Sequence, residues 1–417
     1  MSTSNLSMQQ LLSFMVAQKG SDLHISADAI PRMRLHGELK PLALPILSHE
    51  EATRIIYSIL NQEQIARLEK DKDLDSSYEI PNVSRYRVNV CYQRGRIRAT
   101  IRTIPTDIKS FEDLGMEGEV FKKICRTPKG LILVTGATGS GKSTTLAAMI
   151  DFVNRNRENH IVTIEDPIEF VHPDKSCMIT QREIGADTPT FHSALKHVLR
   201  QDPDVVLIGE MRDQETVQVG LELSETGHLT FATLHTSDAV QTVNRIIDIF
   251  PPDQQSQVRT QLGFVLEAVV SQQLLKTIDG KGRCVAQEIL LATQSVRANI
   301  RGDKVHQIYS ALQTGSQIGM ATMNQSLAHL VKLGKIDAEM AMKNSSRQDE
   351  LSGLLSEMGY SVSKNVSDNN TSGSPMQVNG GGGQGGGGGA QQPAGGGGTA
   401  ARQQGAPRQP SGGTRKW

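Results

Sequence analysis

Residues Gly136–Thr144, "GATGSGKST", carry the most readable chemistry in the chain. Gly136, Gly139 and Gly141 let the backbone reach positive φ and bring its N–H groups close to phosphate oxygens. Lys142 supplies a cation for the β- and γ-phosphates, and the Ser143 hydroxyl is placed to ligate Mg²⁺. Thr138, Ser140 and Thr144 complete the Walker A pattern. The apolar run "LILVT" precedes it and "TLAAMIDFV" follows, the strand and helix this motif requires. Nucleoside triphosphate binding follows from that context.

A phosphate loop needs acids at the carboxyl ends of neighbouring strands, where ligands of open α/β sheets sit. "HIVTIEDPIE" ends in Glu165 and Asp166, and "DVVLIGEMRD" ends in Glu210, Arg212 and Asp213. One carboxylate can hold Mg²⁺ through water while another orients or deprotonates the attacking water. Residue type alone does not divide the two jobs between Glu165 and Glu210. His228 and His235 stand at opposite ends of "HLTFATLH". An isolated histidine on an apolar strand is usually a satisfied core residue. His235, at the carboxyl end, is the better candidate for sensing a γ-phosphate.

The elements that position these residues separate into regions. Residues 1–108 mix short patterns: "SDLHIS" and "PRMRLHGEL" read as strands, and "HEEATRIIYSILNQEQIARLE" reads as one helix. A connector over 109–118 leads to residues 119–362, where apolar β-rich runs alternate with helical stretches, predicting an α/β domain on a parallel sheet. "TVQVGLEL" alternates at period two, which by itself says strand. Two buried parallel strands flank it, so the chain needs a crossover there and the segment is predicted helical. Residues 363–417, rich in glycine, bury too little to offset ordering entropy and are predicted to be disordered.

The 417-residue chain has 44 Lys+Arg against 44 Asp+Glu, so no global field draws it to nucleic acid or membrane. Its four cysteines are scattered and form no CxxC pair, which reads as reduced thiols in a cytoplasmic protein. The run "LLSFMV" is too short for a signal core or a membrane span. Membrane contact is expected only through partners.

Walker A, "TIEDPIE", "VVLIGEMRD" and "TGHLTFATLHT" occur in the order seen in the secretion-ATPase superfamily, and the chain resembles the type IV pilus retraction ATPases, the PilT family. "SDLHIS", "RYRVNV…RTIP", "RIIDIFP" and "SALQTGSQIGM" extend that resemblance over residues 10–345. It implies a PAS-like N-terminal domain, a RecA-like ATPase domain and a homohexameric ring hydrolysing ATP with Mg²⁺ between the two domains. It implies Glu165 as general base, Glu210 as the Walker B acid holding Mg²⁺ through water, and His228 and His235 as the His-box pair. Arg85, Arg87 and Arg102 fall on the arginines that reach the nucleotide. The implied partner is an inner-membrane pilus platform protein, which makes the chain peripheral at that membrane. Assembly-type relatives carry an extra N-terminal domain and a four-cysteine zinc motif; this sequence has neither, which favours retraction. The family's late motif Ala-Ile-Arg-Asn-Leu-Ile-Arg-Glu stands here as "SVRANIRG", with Gly302 in place of the acid. An accessory retraction paralogue with weak turnover and a DNA-translocating or secretion ATPase stay open as alternatives.

Arginines concentrate between Ile80 and Thr106, a stretch without Asp or Glu. As two strands turning near Gly95, Arg85 and Arg87 share one face, and Arg96, Arg98 and Arg102 share the same front of the second. Tyr86, Val88, Val90, Ile97, Ala99 and Ile101 form the apolar back. The front reads as one wall of an ATP site, and no nucleic-acid partner is expected. Arg94, Arg96 and Arg98 are left as ring-contact or solvated residues.

Overall fold

The computed structural model describes residues 6–360. The first sheet has strands Asp22–Ser26 (β1), Arg32–Leu35 (β2), Glu38–Pro41 (β3), Asp73–Ile80 (β4), Ser84–Gln93 (β5) and Arg96–Ile104 (β6). They are antiparallel in the order β3-β2-β1-β6-β5-β4. Helices Met8–Ala17 (α1), His49–Tyr57 (α2) and Gln62–Asp71 (α3) accompany it. The β5–β6 alternation is that of a half-buried sheet: Tyr86, Val88, Val90, Ile97, Ala99 and Ile101 are fully buried with Leu12 and Ile25 of the same core. The hairpin turns through Arg94 and Gly95, both at positive φ (51° and 72°), the turn whose twist matches the strands.

One expectation fails here. The helix read over 49–69 is two helices, α2 and α3. Asn61 accepts from the Gln64 N–H while the Gln64 side chain accepts from the Asn61 N–H, and this reciprocal cap starts a new helix. Apolar periodicity running through both segments hides the break.

A helix over Gly118–Cys125 (α4) precedes the second sheet. Its strands are Gly130–Thr135 (β7), His160–Glu165 (β8), Met178–Glu183 (β9), Val205–Ile208 (β10), Leu229–Leu234 (β11), Leu266–Lys276 (β12) and Arg283–Leu291 (β13), in the order β13-β12-β7-β11-β10-β8-β9. All pairs are parallel except β12 with β13. Lys142–Asn156 (α5), Phe191–Val198 (α6), Gln214–Glu225 (α7), Ala239–Asp248 (α8), Pro252–Val265 (α9) and Gln294–Arg301 (α10) are its principal helices. Every residue of β7, β10 and β11 is buried, as strands covered on both faces must be. The "TVQVGLEL" segment lies in α7, so the topological requirement overrides the alternating pattern. Asp213 starts that helix by accepting from the Thr216 N–H.

The late motif falls on α10. Arg297 donates to the carbonyls of Phe264 at 2.6 Å and Ala292 at 2.9 Å, and pairs with Glu267 at 2.6 Å. It thereby fixes the end of α9 to the start of β12. The four cysteines carry free thiols. Among the described residues no helix is long and apolar enough to cross a membrane. The glycine-rich tail lies outside the described residues.

Candidate functional site

The phosphate loop joins β7 to α5. Gly136, Gly139 and Gly141 have φ of 138°, 80° and 91°, values that side-chain-bearing residues rarely adopt. A Cβ on Gly136 would stand 2.4 Å from the Gln272 carbonyl oxygen, so glycine is required there for space as well. No side chain caps the N-terminus of α5. Its first N–H groups are therefore available to an anion, at the positive end of the helix dipole. Lys142 Nζ folds back onto the carbonyls of Gly136 at 2.8 Å and Ala137 at 3.2 Å. Burial lowers its pKa.

A pocket of about 550 Å³ opens over this loop. Thr138, Gly139, Gly141, Lys142, Ser143 and Thr144 line it together with Glu165, Glu210 and His235. Gly136 and the buried Ser140 shape the loop from behind.

The two glutamates stand at the carboxyl ends of β8 and β10 and differ in electrostatics. Glu165 Oε1 accepts from Thr163 Oγ1 at 2.7 Å and from Gln181 Nε2 at 3.2 Å. Burial dominates these bonds and raises its pKa above the usual carboxylate range. Glu210 is pushed upward by burial too, but it accepts from Arg212 Nη2 at 2.7 Å and lies 3.1 Å from His235 Nε2. Together these partners hold its pKa below the usual value. Glu165 therefore binds a proton more readily than an ordinary carboxylate does, and Glu210 less readily.

His228 is not brought to this cluster. It precedes β11 at the opposite end, where its Nδ1 lies 2.9 Å from the Leu223 carbonyl and 3.1 Å from Thr226 Oγ1. A six-residue strand, roughly 20 Å long, separates it from His235. Arg85, Arg87 and Arg102 are also absent from the pocket lining. Arg102 Nε donates to the buried Asp22 at 2.8 Å, and Arg87 stands opposite it across the ladder. Arg85 Nη2 reaches Glu183 at 3.3 Å, and the same Glu183 oxygen accepts from the Ile168 N–H at 3.2 Å. Val171 N–H donates to the Pro105 carbonyl at 3.2 Å. These two links tie the first sheet and the residue after it to the loop following Glu165, and Arg85 reaches that loop only through Glu183.

Of the two residues that hold Glu165, Thr163 stands inside "TIEDPIE" without a chemistry of its own to mark it, and Gln181 lies on β9, which carries no motif. Arg212 was visible as a cation two residues from Glu210, a signal that its ion pair accounts for.

Residues 4–346 match the family model of type II/IV secretion system proteins. The chain is 48% identical over 336 residues to the type IV pilus retraction ATPase PilT of Pseudomonas aeruginosa, covering 81% of this chain and 97% of that protein. It is 39% identical over 346 residues to the type IV pilus ATPase PilU of the same organism, covering 83% and 90%. The crystal structure of the pilus retraction motor PilT with bound ADP aligns with a TM-score of 0.77 at 44% identity, covering 83% of this chain and 99% of that one.

Proposed function

The chain belongs to the family of type II/IV secretion system proteins, in its pilus-retraction branch, and we propose that it is the ATP-hydrolysing motor that retracts type IV pili in twitching motility. The observation that carries this reading is one pocket in which an uncapped phosphate loop meets two carboxylates with opposite pKa shifts.

The loop N–H groups and Lys142 bind the phosphates of ATP, with Lys142 leaving the loop carbonyls for the γ-phosphate. Ser143, by its hydroxyl, and Glu210, through water, are the residues that would hold Mg²⁺; the anionic state of Glu210 and the adjacent hydroxyl fit a hard dication. Bound Mg²⁺ would neutralise charge between the phosphates. Glu165, whose pKa is raised toward the working range of a base, takes the proton of the attacking water. His235 keeps Glu210 oriented at the γ-phosphate end. Arg85, Arg87 and Arg102 face a nucleotide held at a subunit boundary of a homohexamer, and His228 braces the far end of its strand. The frame is a PAS-like domain over 1–108, a linker over 109–118 and a RecA-like domain over 119–362, supported by two sheets with separate cores. A tail over 363–417 follows it. The ring works at the cytoplasmic face of the inner membrane on a platform protein, alongside a retraction paralogue.

Lys142→Ala in the purified protein is expected to abolish ATP turnover; wild-type turnover would remove the site. A strain lacking the gene should carry surplus pili that cannot retract, whereas bare cells would assign the motor to assembly.

A further inference from the structure

The phosphate loop is braced from a strand that carries no nucleotide motif. β12 runs parallel to β7 with Ser271 opposite Thr135, and their hydroxyls lie 2.8 Å apart in the buried interior. The next residue on β12, Gln272, therefore arrives beside the first residue of the loop. Its side chain is 1% exposed. Nε2 donates to the Ser140 carbonyl at 2.8 Å, and Oε1 accepts from the Thr145 hydroxyl at 3.0 Å. The amide orientation is fixed chemically, because a carbonyl oxygen only accepts and so must face the NH₂.

Ser140 lies in the loop and Thr145 in the first turn of α5, so one amide spans the junction whose N–H groups face the pocket. The glycines record the same packing: a Cβ on Gly136 would meet the Gln272 carbonyl at 2.4 Å, and one on Gly141 would meet Nε2 at 3.2 Å. We propose that Gln272 is a positioning residue for nucleotide binding, holding the Ser140–Thr145 segment in the conformation that presents its amides to phosphate. This assignment rests on the nucleotide reading of the pocket.

The test measures ADP affinity of the full-length protein without turnover, for wild type, Gln272→Glu, Gln272→Leu and Thr145→Val, with Lys142→Ala as the control. Gln272→Glu keeps shape and the bond from Thr145 but sets a carboxylate oxygen against the Ser140 carbonyl. It should weaken ADP binding about tenfold or more at about pH 8. On lowering the pH to about 6 the buried carboxyl protonates, regains a donor for Ser140, and the affinity ratio to wild type should shrink. Gln272→Leu should show the loss without the pH-dependent recovery. Thr145→Val should show a smaller loss, and it keeps the test open if the leucine variant does not fold. Folded Gln272 variants that bind ADP within about threefold of wild type, or a glutamate variant without recovery at low pH, would overturn the assignment. If Lys142→Ala also binds ADP as wild type does, the nucleotide reading itself falls; normal binding confined to the Gln272 variants removes only this inference.

Discussion

Replacing Glu165 with glutamine separates what that carboxylate does for turnover from what it costs the fold. The change is nearly isosteric, and the amide oxygen can still accept from Thr163 and Gln181, now at 2.7 and 3.2 Å. Packing therefore changes little, while the base is removed. Loss of a positioned general base is typically worth 10²–10⁴ in rate, roughly 3–5 kcal/mol of barrier. ADP affinity should stay near wild type, because the carboxylate acts in the transition state. Stability supplies a second, independent readout. Glu165 has a raised pKa in the fold, so between its ordinary value near 4.5 and its raised value the native state holds a proton that the unfolded chain has lost. The wild type is then destabilised as pH rises through that window, and Glu165→Gln removes this term. Thermal melts at about pH 5 and about pH 8 should show the variant gaining on the wild type at the higher pH. A phosphate-release rate within about tenfold of wild type, or a variant whose melting temperature falls relative to wild type as pH rises, would refute the reasoning.

The other substitutions divide the histidines and test the arginines. His235→Ala removes a partner of Glu210 and should lower kcat by about 10–100-fold. His228→Ala should leave kcat within about threefold and cost roughly 1 kcal/mol in melting experiments, the price of its bond to the Leu223 carbonyl. Equal kinetic effects of the two would contradict their placement. Arg102→Ala should lower turnover far more than ADP affinity, as loss of a charge acting in the transition state does; unchanged kcat, or lost binding alone, would refute its role.

The parts of the site written locally were legible in the sequence. A phosphate loop declares itself because one short segment must supply glycine freedom, a lysine and a hydroxyl. Glu165, Glu210 and His235 were legible because each closes an apolar strand at its carboxyl end. The opposite pKa shifts of the two glutamates were not, since they depend on Thr163, Gln181, Arg212, His235 and the depth of burial. The α7 helix was recoverable from topology against its own pattern, whereas the α2–α3 break hid behind continuous periodicity. Contacts between distant segments left no trace: Arg85 meets Glu183 across 98 residues, and Gln272 meets Ser140 across 132. Nothing in "SQQLL" marks its first glutamine as the loop's brace.

β12 is pinned at two points, near its start at Glu267 by Arg297 and in its middle at Gln272 by the phosphate loop. Strand side chains alternate faces, so inserting or deleting one residue between these points would turn Gln272 away from the loop. Asp279–Lys281, in the exposed turn between β12 and β13, do not line the pocket. Length variation and engineered tags are therefore tolerable at that hairpin tip and intolerable a few residues earlier, so the strand acts as a fixed ruler between the late motif and the phosphate loop.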